Sequence, residues 1–183
     1  DHVSGLQEIL AEGYRVKYLV FSEAVVEDAL YQELKSLAES VGTKVLYMGY
    51  RDCLHFGAAK LTCVFPYDGF VTEDKNAASL VLYYEDGSFD GLFTGDIGVE
   101  EERFIAEHSD EWLRLSVNGT QAEIESRDKT KNSLYDEEGI DFLKVAHHGS
   151  RYSNGEEILE VLQPKVAFIS CGVNNQYGHP HEE

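Results

Sequence analysis

The chain has 183 residues, the size of one domain with room for a hydrophobic core. Apolar residues make up 43% and charged residues 27%, a globular balance that excludes intrinsic disorder. The net charge of −19 disfavours a broad non-specific grip on nucleic acid, which needs clustered Lys and Arg, and suits a site that concentrates cations.

No apolar run approaches the roughly 20 residues of a membrane span, and no stretch shows the basic-then-apolar pattern of a signal peptide. The expectation is a soluble domain. The three cysteines, Cys53, Cys63 and Cys171, form no CxxC, which argues against a disulfide framework or a zinc knuckle. Cys53 and Cys63 lie in apolar surroundings and are expected in the core. Cys171 lies beside the C-terminal histidines.

Along the chain, residues 3–12 read as a helix stopped by Gly13, and residues 15–21 as a strand. Ser22 is the expected N-cap of a helix with apolar positions Val26, Leu30, Leu34 and Leu37, ending near Gly42. Residues 44–48 form a strand, giving a strand-helix-strand unit. Residues 53–56 and 60–65 are short strands around Gly57. Residues 79–84 and 89–94 flank Glu85-Asp86-Gly87-Ser88, a strong hairpin turn. Residues 100–107 are helical. Residues 110–139 are polar and read as a surface excursion with one possible helix at its start. Residues 141–146 form a strand, 155–162 a helix closed by Pro164, and 166–170 a final strand. The antiparallel middle excludes a pure Rossmann sheet and predicts an α/β fold with helices outside its sheets.

Three polar clusters stand at the ends of apolar segments. They are Asp1-His2, then Phe93-Thr94-Gly95-Asp96, then Val145-Ala146-His147-His148-Gly149-Ser150 together with Asn175-Gln176-Tyr177-Gly178-His179-Pro180-His181. An Asp after Gly at a strand end is also an ordinary turn or cap residue, and paired histidines can lie in a solvated loop. Yet four of the seven histidines fall between positions 147 and 181. With Asp96 and Asp1-His2 they make a mixed nitrogen and oxygen donor set suited to zinc or manganese.

These blocks carry a resemblance. Asp1-His2-Val3-Ser4-Gly5-Leu6 is similar to the last third of the first metal motif of metallo-β-lactamase-fold hydrolases, and Leu92-Phe93-Thr94-Gly95-Asp96 to their bridging-aspartate motif. The order Asn76-Ala77-Ala78-Ser79-Leu80-Val81-Leu82, Thr94-Gly95-Asp96, Leu143-Lys144-Val145-Ala146-His147-His148-Gly149-Ser150 and Asn175-Gln176-Tyr177-Gly178-His179-Pro180 resembles the hydrolase domain of ComEC-type DNA-uptake proteins across nearly the whole chain.

The resemblance implies an αββα metallo-β-lactamase sandwich, incomplete at the N-terminus, with two divalent ions, Zn or Mn, at one edge. Asp1 and His2 would hold one ion and Asp96 would bridge both. His148 or His147 would complete the second shell, and the other would contact the scissile phosphate or orient water. His179 would be a ligand or phosphate contact, with Ser150 and Asn175 also facing substrate. Asp1 or a histidine would move the proton. Asn76 stands where many relatives carry a metal-binding His, and His181 has no assigned role. The first two histidines of the family motif and its leading strands are absent, so residues 1–183 are expected to be a fragment of a longer protein, weakly active by itself.

The function implied is phosphodiester hydrolysis of DNA in competence-type uptake. The domain would belong to a larger membrane-associated protein, at the extracytoplasmic face of a bacterial membrane or alternatively in the cytoplasm. A small-molecule phosphodiesterase resembling choline-phosphate esterases, and a metal-free interaction domain, are the alternatives.

Overall fold

A computed structural model describes residues 3–115 and 139–182 of the chain. The N-terminal part is built from α1 (Ser4–Ala11), β1 (Tyr18–Ser22), α2 (Ala29–Ser40) and β2 (Lys44–Met48). β1 and β2 pair in parallel as a two-stranded sheet, with α2 as the crossover. Leu10, Leu19, Leu34 and Ala38 close a small core between the helices and this sheet.

The start of α2 corrects the sequence reading. Ser22 is the last residue of β1, and its hydroxyl accepts the Ala24 N–H at 3.1 Å. Asp28 is the cap, accepting the Tyr31 N–H at 2.9 Å. The later start rotates the buried face to Tyr31, Leu34 and Ala38, leaving Leu30 exposed. A carboxylate satisfies an orphan amide as well as a hydroxyl does, so two capping residues six positions apart are not separable by propensity alone.

The larger sheet has six strands in chain order: β3 (Cys53–Phe56), β4 (Ala59–Phe65), β5 (Val81–Asp86), β6 (Phe89–Phe93), β7 (Phe142–Lys144) and β8 (Val166–Phe168). β3 to β6 are antiparallel, and β6, β7 and β8 are parallel. The expected hairpin is present: Asp86 pairs with Phe89 across Gly87-Ser88, with Gly87 at φ 62°. That turn needs a left-handed residue, which glycine supplies without steric cost. Helices α3 (Val99–Glu107) and α4 (Ser109–Leu115) follow β6, and α5 (Glu156–Leu162) connects β7 to β8.

Period-two alternation decides which side chains reach the core. Val81 and Tyr83 of β5, Leu92 of β6 and Leu143 of β7 face inward. They meet Ile97, Ile105, Trp112, Ile158 and Leu162 from the helical layer. Cys63 is buried as expected, but Cys53 is exposed on β3, which among the described residues is the edge strand of its sheet. Of the polar stretch 110–139, the described part begins in α4, whose Trp112 is 1% exposed; residues 116–138 lie outside the described residues. Trp112 packs edge-on to Tyr83 at 4.9 Å and its indole N–H donates to the Ile105 carbonyl at 3.3 Å. Trp112→Ala should cost about 3–5 kcal/mol. A urea midpoint unchanged from wild type would show that α4 is not part of the core.

Because β6, β7 and β8 run in parallel, their C-terminal ends meet at one edge of the sheet. Open sheets place their sites there, where chain leaves the hydrogen-bonded ladder and amides and side chains are freed for other partners. The same alternation that buries Leu143 sends its neighbour Lys144 to the opposite face.

Candidate functional site

Thr94-Gly95-Asp96 follows β6 as a tight turn. The Thr94 hydroxyl donates to the Lys144 carbonyl at 2.6 Å, tying the ends of β6 and β7 together. Gly95 adopts φ +60°, and a Cβ there would stand 2.6 Å from the Ser79 Cβ. The close approach lets the Asp96 N–H donate to the Ser79 hydroxyl at 3.0 Å. The Gly95 carbonyl accepts from the His147 N–H at 3.1 Å and from the Lys144 ammonium at 2.9 Å. Asp96 is thus fixed from three sides and is only 8% exposed.

The strand β7 ends before the histidine pair, so the two rings are not on opposite faces of a sheet. His147 (φ 48°, ψ 44°), His148 (φ 55°, ψ 24°) and Gly149 (φ 78°) form a left-handed turn. Each non-glycine residue in that region costs roughly 1–2 kcal/mol, so the surroundings must hold it. Asn154 does much of this: its side chain accepts the Ala146 N–H at 2.9 Å and donates to the Ala146 carbonyl at 3.1 Å. Behind it, the buried Glu102 carboxylate accepts the N–H groups of Asn154 at 2.6 Å and Gly155 at 2.8 Å. Burial pushes the Glu102 carboxyl pKa up, and those two hydrogen bonds oppose the shift.

The His148 Nδ1 lies 2.6 Å from the Ser170 carbonyl oxygen. A carbonyl only accepts, so Nδ1 is the donor, and in a neutral ring Nε2 is left with the lone pair. That Nε2 lies 3.5 Å from the Asp96 Oδ2. Lys144 Nζ stands 3.8 Å from the other carboxylate oxygen, Oδ1. Burial pulls the Lys144 pKa down and Asp96 opposes the shift.

His179 completes the cluster, its ring centroid 5.6 Å from that of His147 and 6.2 Å from that of His148. Desolvation holds its pKa below the usual imidazole value, with the neighbouring histidines His181, His147 and His148 acting in the same direction. His181 lies 4.9 Å further out, and its Nδ1 accepts the Arg151 N–H at 3.1 Å.

Ligand bonds of about 2.0–2.2 Å on a tetrahedral ion put two donors roughly 3.4 Å apart. The spacing of His148 Nε2 and Asp96 Oδ2 fits that value, and the Ser170 contact is the usual second partner of a metal-binding imidazole. The donor pair therefore fits a divalent ion. Among the described residues, however, no group of three or more His, Cys, Asp or Glu side chains is placed to hold one.

The fold therefore brings Asp96, His147, His148, His179 and His181 together. Asp1 and His2 lie outside the described residues. Asn76 is exposed on the turn before β5, its backbone N–H donating to the Asp74 carboxylate, and no hydrogen bond among the described residues joins its side chain to the histidines. Ser150 is buried, its hydroxyl accepting the Tyr152 N–H at 3.3 Å, so it holds the turn. Asn175 is engaged by its own loop: it donates to the Gly172 and His179 carbonyls at 2.9 and 2.7 Å and accepts the His179 N–H at 2.9 Å. It positions His179. Sequence reasoning missed Lys144, Ser79, Asn154 and Glu102. Only Lys144 carried a signal, a cation inside an apolar strand directly before the histidine pair.

No protein-family model matches the sequence. The chain is 31% identical over 111 of its residues to Recombination protein 2 of Haemophilus influenzae, an alignment covering 61% of the chain and 10% of that protein. Over all 183 residues it is 30% identical to ComE operon protein 3 of Bacillus subtilis, and there it spans 20% of that protein's length.

Proposed function

We propose that this domain is a metal-dependent phosphodiesterase acting on DNA, within a larger membrane-associated protein of the DNA-uptake type. The carrying observation is the pair of donors at the sheet edge: the His148 Nε2, 3.5 Å from the buried Asp96 carboxylate. The likeness to ComE operon protein 3 and Recombination protein 2 supports the choice of DNA over other phosphodiesters. We read the fold as the αββα metallo-β-lactamase sandwich. The six-stranded sheet with its helical layer supplies one half. The β1–β2 sheet with α1 and α2 supplies part of the other.

Asp96 and His148, with Asp1 and His2, would hold Zn or Mn ions. When bound, divalent ions would supply Lewis-acid polarisation of the phosphate and activation of water. The chain's own residues do the rest. His179 stands against His147 and His148, where its ring nitrogen can accept a proton. His147, oriented by the left-handed turn, contacts the phosphate. Lys144 offsets the negative charge that Asp96 and the substrate bring together. Among the described residues no helix is long and apolar enough to cross a membrane. The membrane association belongs to other parts of the protein, and we place this domain on the extracytoplasmic side.

The net charge of −19 favours a competing reading, a small-molecule phosphodiesterase using the same site. The test compares hydrolysis of single-stranded DNA and of bis-p-nitrophenyl phosphate by the intact protein, in Mn, in Zn and in EDTA. DNA cleavage that needs metal is expected. Turnover of the small diester alone would favour the second reading, and calorimetry showing no metal uptake would leave a metal-free interaction domain.

A further inference from the structure

A cavity of about 490 Å³ opens beside the donor pair, lined by Lys144, His148, Ser170, Cys171, Gly172, Asn175, Tyr177 and His179. The volume lies within the roughly 300–1,000 Å³ of small-ligand sites. Among the described residues no Asp or Glu lines this cavity, whereas Lys144 does. In so acidic a protein, a cavity walled by a lysine and two histidines, with Asp96 behind them, favours an anionic ligand.

The cavity also has an aromatic wall. The Tyr177 ring lies 5.8 Å from the His179 ring at 27°, and His179 lies 6.2 Å from His148 at 21°. His179 thus links the exposed Tyr177 ring to His148 of the donor pair. Tyr177 is nevertheless 66% exposed, which leaves aromatic surface for a ligand. Asn175 bonds both ends of the loop that carries Tyr177, through the Gly172 and His179 carbonyls, so the backbone bearing the ring is held before any ligand arrives.

An anion site and an exposed aromatic ring in one small cavity match a nucleotide. A base inside a duplex has both faces stacked already, whereas an unpaired base has one to give. We propose that this cavity seats one unpaired nucleotide of a DNA strand, its base on Tyr177 and its phosphate toward Lys144 and His148. The proposal rests on the phosphodiesterase reading, and makes that activity selective for single strands.

The test measures fluorescence anisotropy of the intact protein in EDTA, at one fixed salt concentration. The probes are an oligo-dT strand, an abasic strand of equal length and a duplex. Tyr177→Ala should weaken oligo-dT binding about tenfold, while Tyr177→Phe, which keeps the ring, should stay within about twofold. The abasic strand should bind wild type about tenfold more weakly than oligo-dT and should not respond to Tyr177→Ala; the duplex should also bind more weakly. Equal binding of oligo-dT by Tyr177→Ala and wild type, equal binding of the abasic strand and oligo-dT by wild type, or no binding of oligo-dT at all overturns the proposal. Hydrolysis in Mn separates the two ideas. Base-dependent binding without cleavage leaves the nucleotide site standing and removes the phosphodiesterase. Cleavage with an unchanged KM in Tyr177→Ala does the reverse.

Discussion

Asp96→Asn should leave the chain folded and lower metal-dependent DNA hydrolysis at least about 100-fold. Losing an outer partner of a metal ligand already costs roughly 10–100-fold in affinity or activity, and Asp96 would be a ligand itself. Asparagine keeps the size of the side chain and the backbone N–H bond to Ser79. It removes the charge that faces His148 Nε2 at 3.5 Å and Lys144 Nζ at 3.8 Å. A readout independent of turnover is available. An ion at 100 times its Kd stabilises the folded state by about 2.7 kcal/mol. For a chain of this size that is a rise of roughly 5–10 °C in melting temperature. Added Mn or Zn should raise the melting temperature of the wild type and not that of the variant. The same metal-induced rise in both proteins would remove Asp96 from the metal site, and with it the main support for the proposed activity.

Gly95→Ala should damage stability and activity together. The position combines φ +60° with a Cβ only 2.6 Å from the Ser79 Cβ and 2.7 Å from its hydroxyl oxygen. The left-handed backbone alone disfavours alanine by about 1–2 kcal/mol, and relieving the clash moves Ser79, the acceptor of the Asp96 N–H. We expect about 2–4 kcal/mol of destabilisation in total. The Gly95 carbonyl also holds the His147 N–H and the Lys144 ammonium, so the shift reaches three functional side chains at once. A Gly95→Ala protein with wild-type urea midpoint and wild-type DNA hydrolysis would show that the turn is not the organiser of the site.

These two residues also mark how far the sequence could be read. Gly95 and Asp96 stand out because a polar turn follows an apolar strand, and the histidine pair stands out for the same reason. Local pattern was enough to find the strands that carry them. Strands β2 and β3 were legible to the residue and the Gly87 hairpin to within two residues, its turn being Gly87-Ser88 because Glu85 and Asp86 stay in the ladder. Errors fell where two local solutions have nearly equal energy. Ser22 and Asp28 are both good caps, and only the packing of Tyr31, Leu34 and Ala38 against the rest of the molecule chose the second.

The roles of single polar side chains were harder to read. Ser150 and Asn175 have the chemistry of substrate contacts, yet their hydrogen bonds are engaged by backbone a few residues away. Glu102 and Asn154 gave no signal at all, because a buried carboxylate and a surface one look alike until burial is known.

The sequence by itself therefore determined the order of elements, the acidic balance and the residue types available to a metal and a phosphodiester. It determined these because they depend on composition and on neighbours within a few positions. Only the tertiary structure decided that Asp96 meets Lys144 and His148, which follow it by 48 and 52 residues in the chain. The cause is the parallel run of β6, β7 and β8, which places three strand ends at one edge. It decided too that the His148 proton sits on Nδ1, since the Ser170 carbonyl that fixes it comes from the end of the next strand.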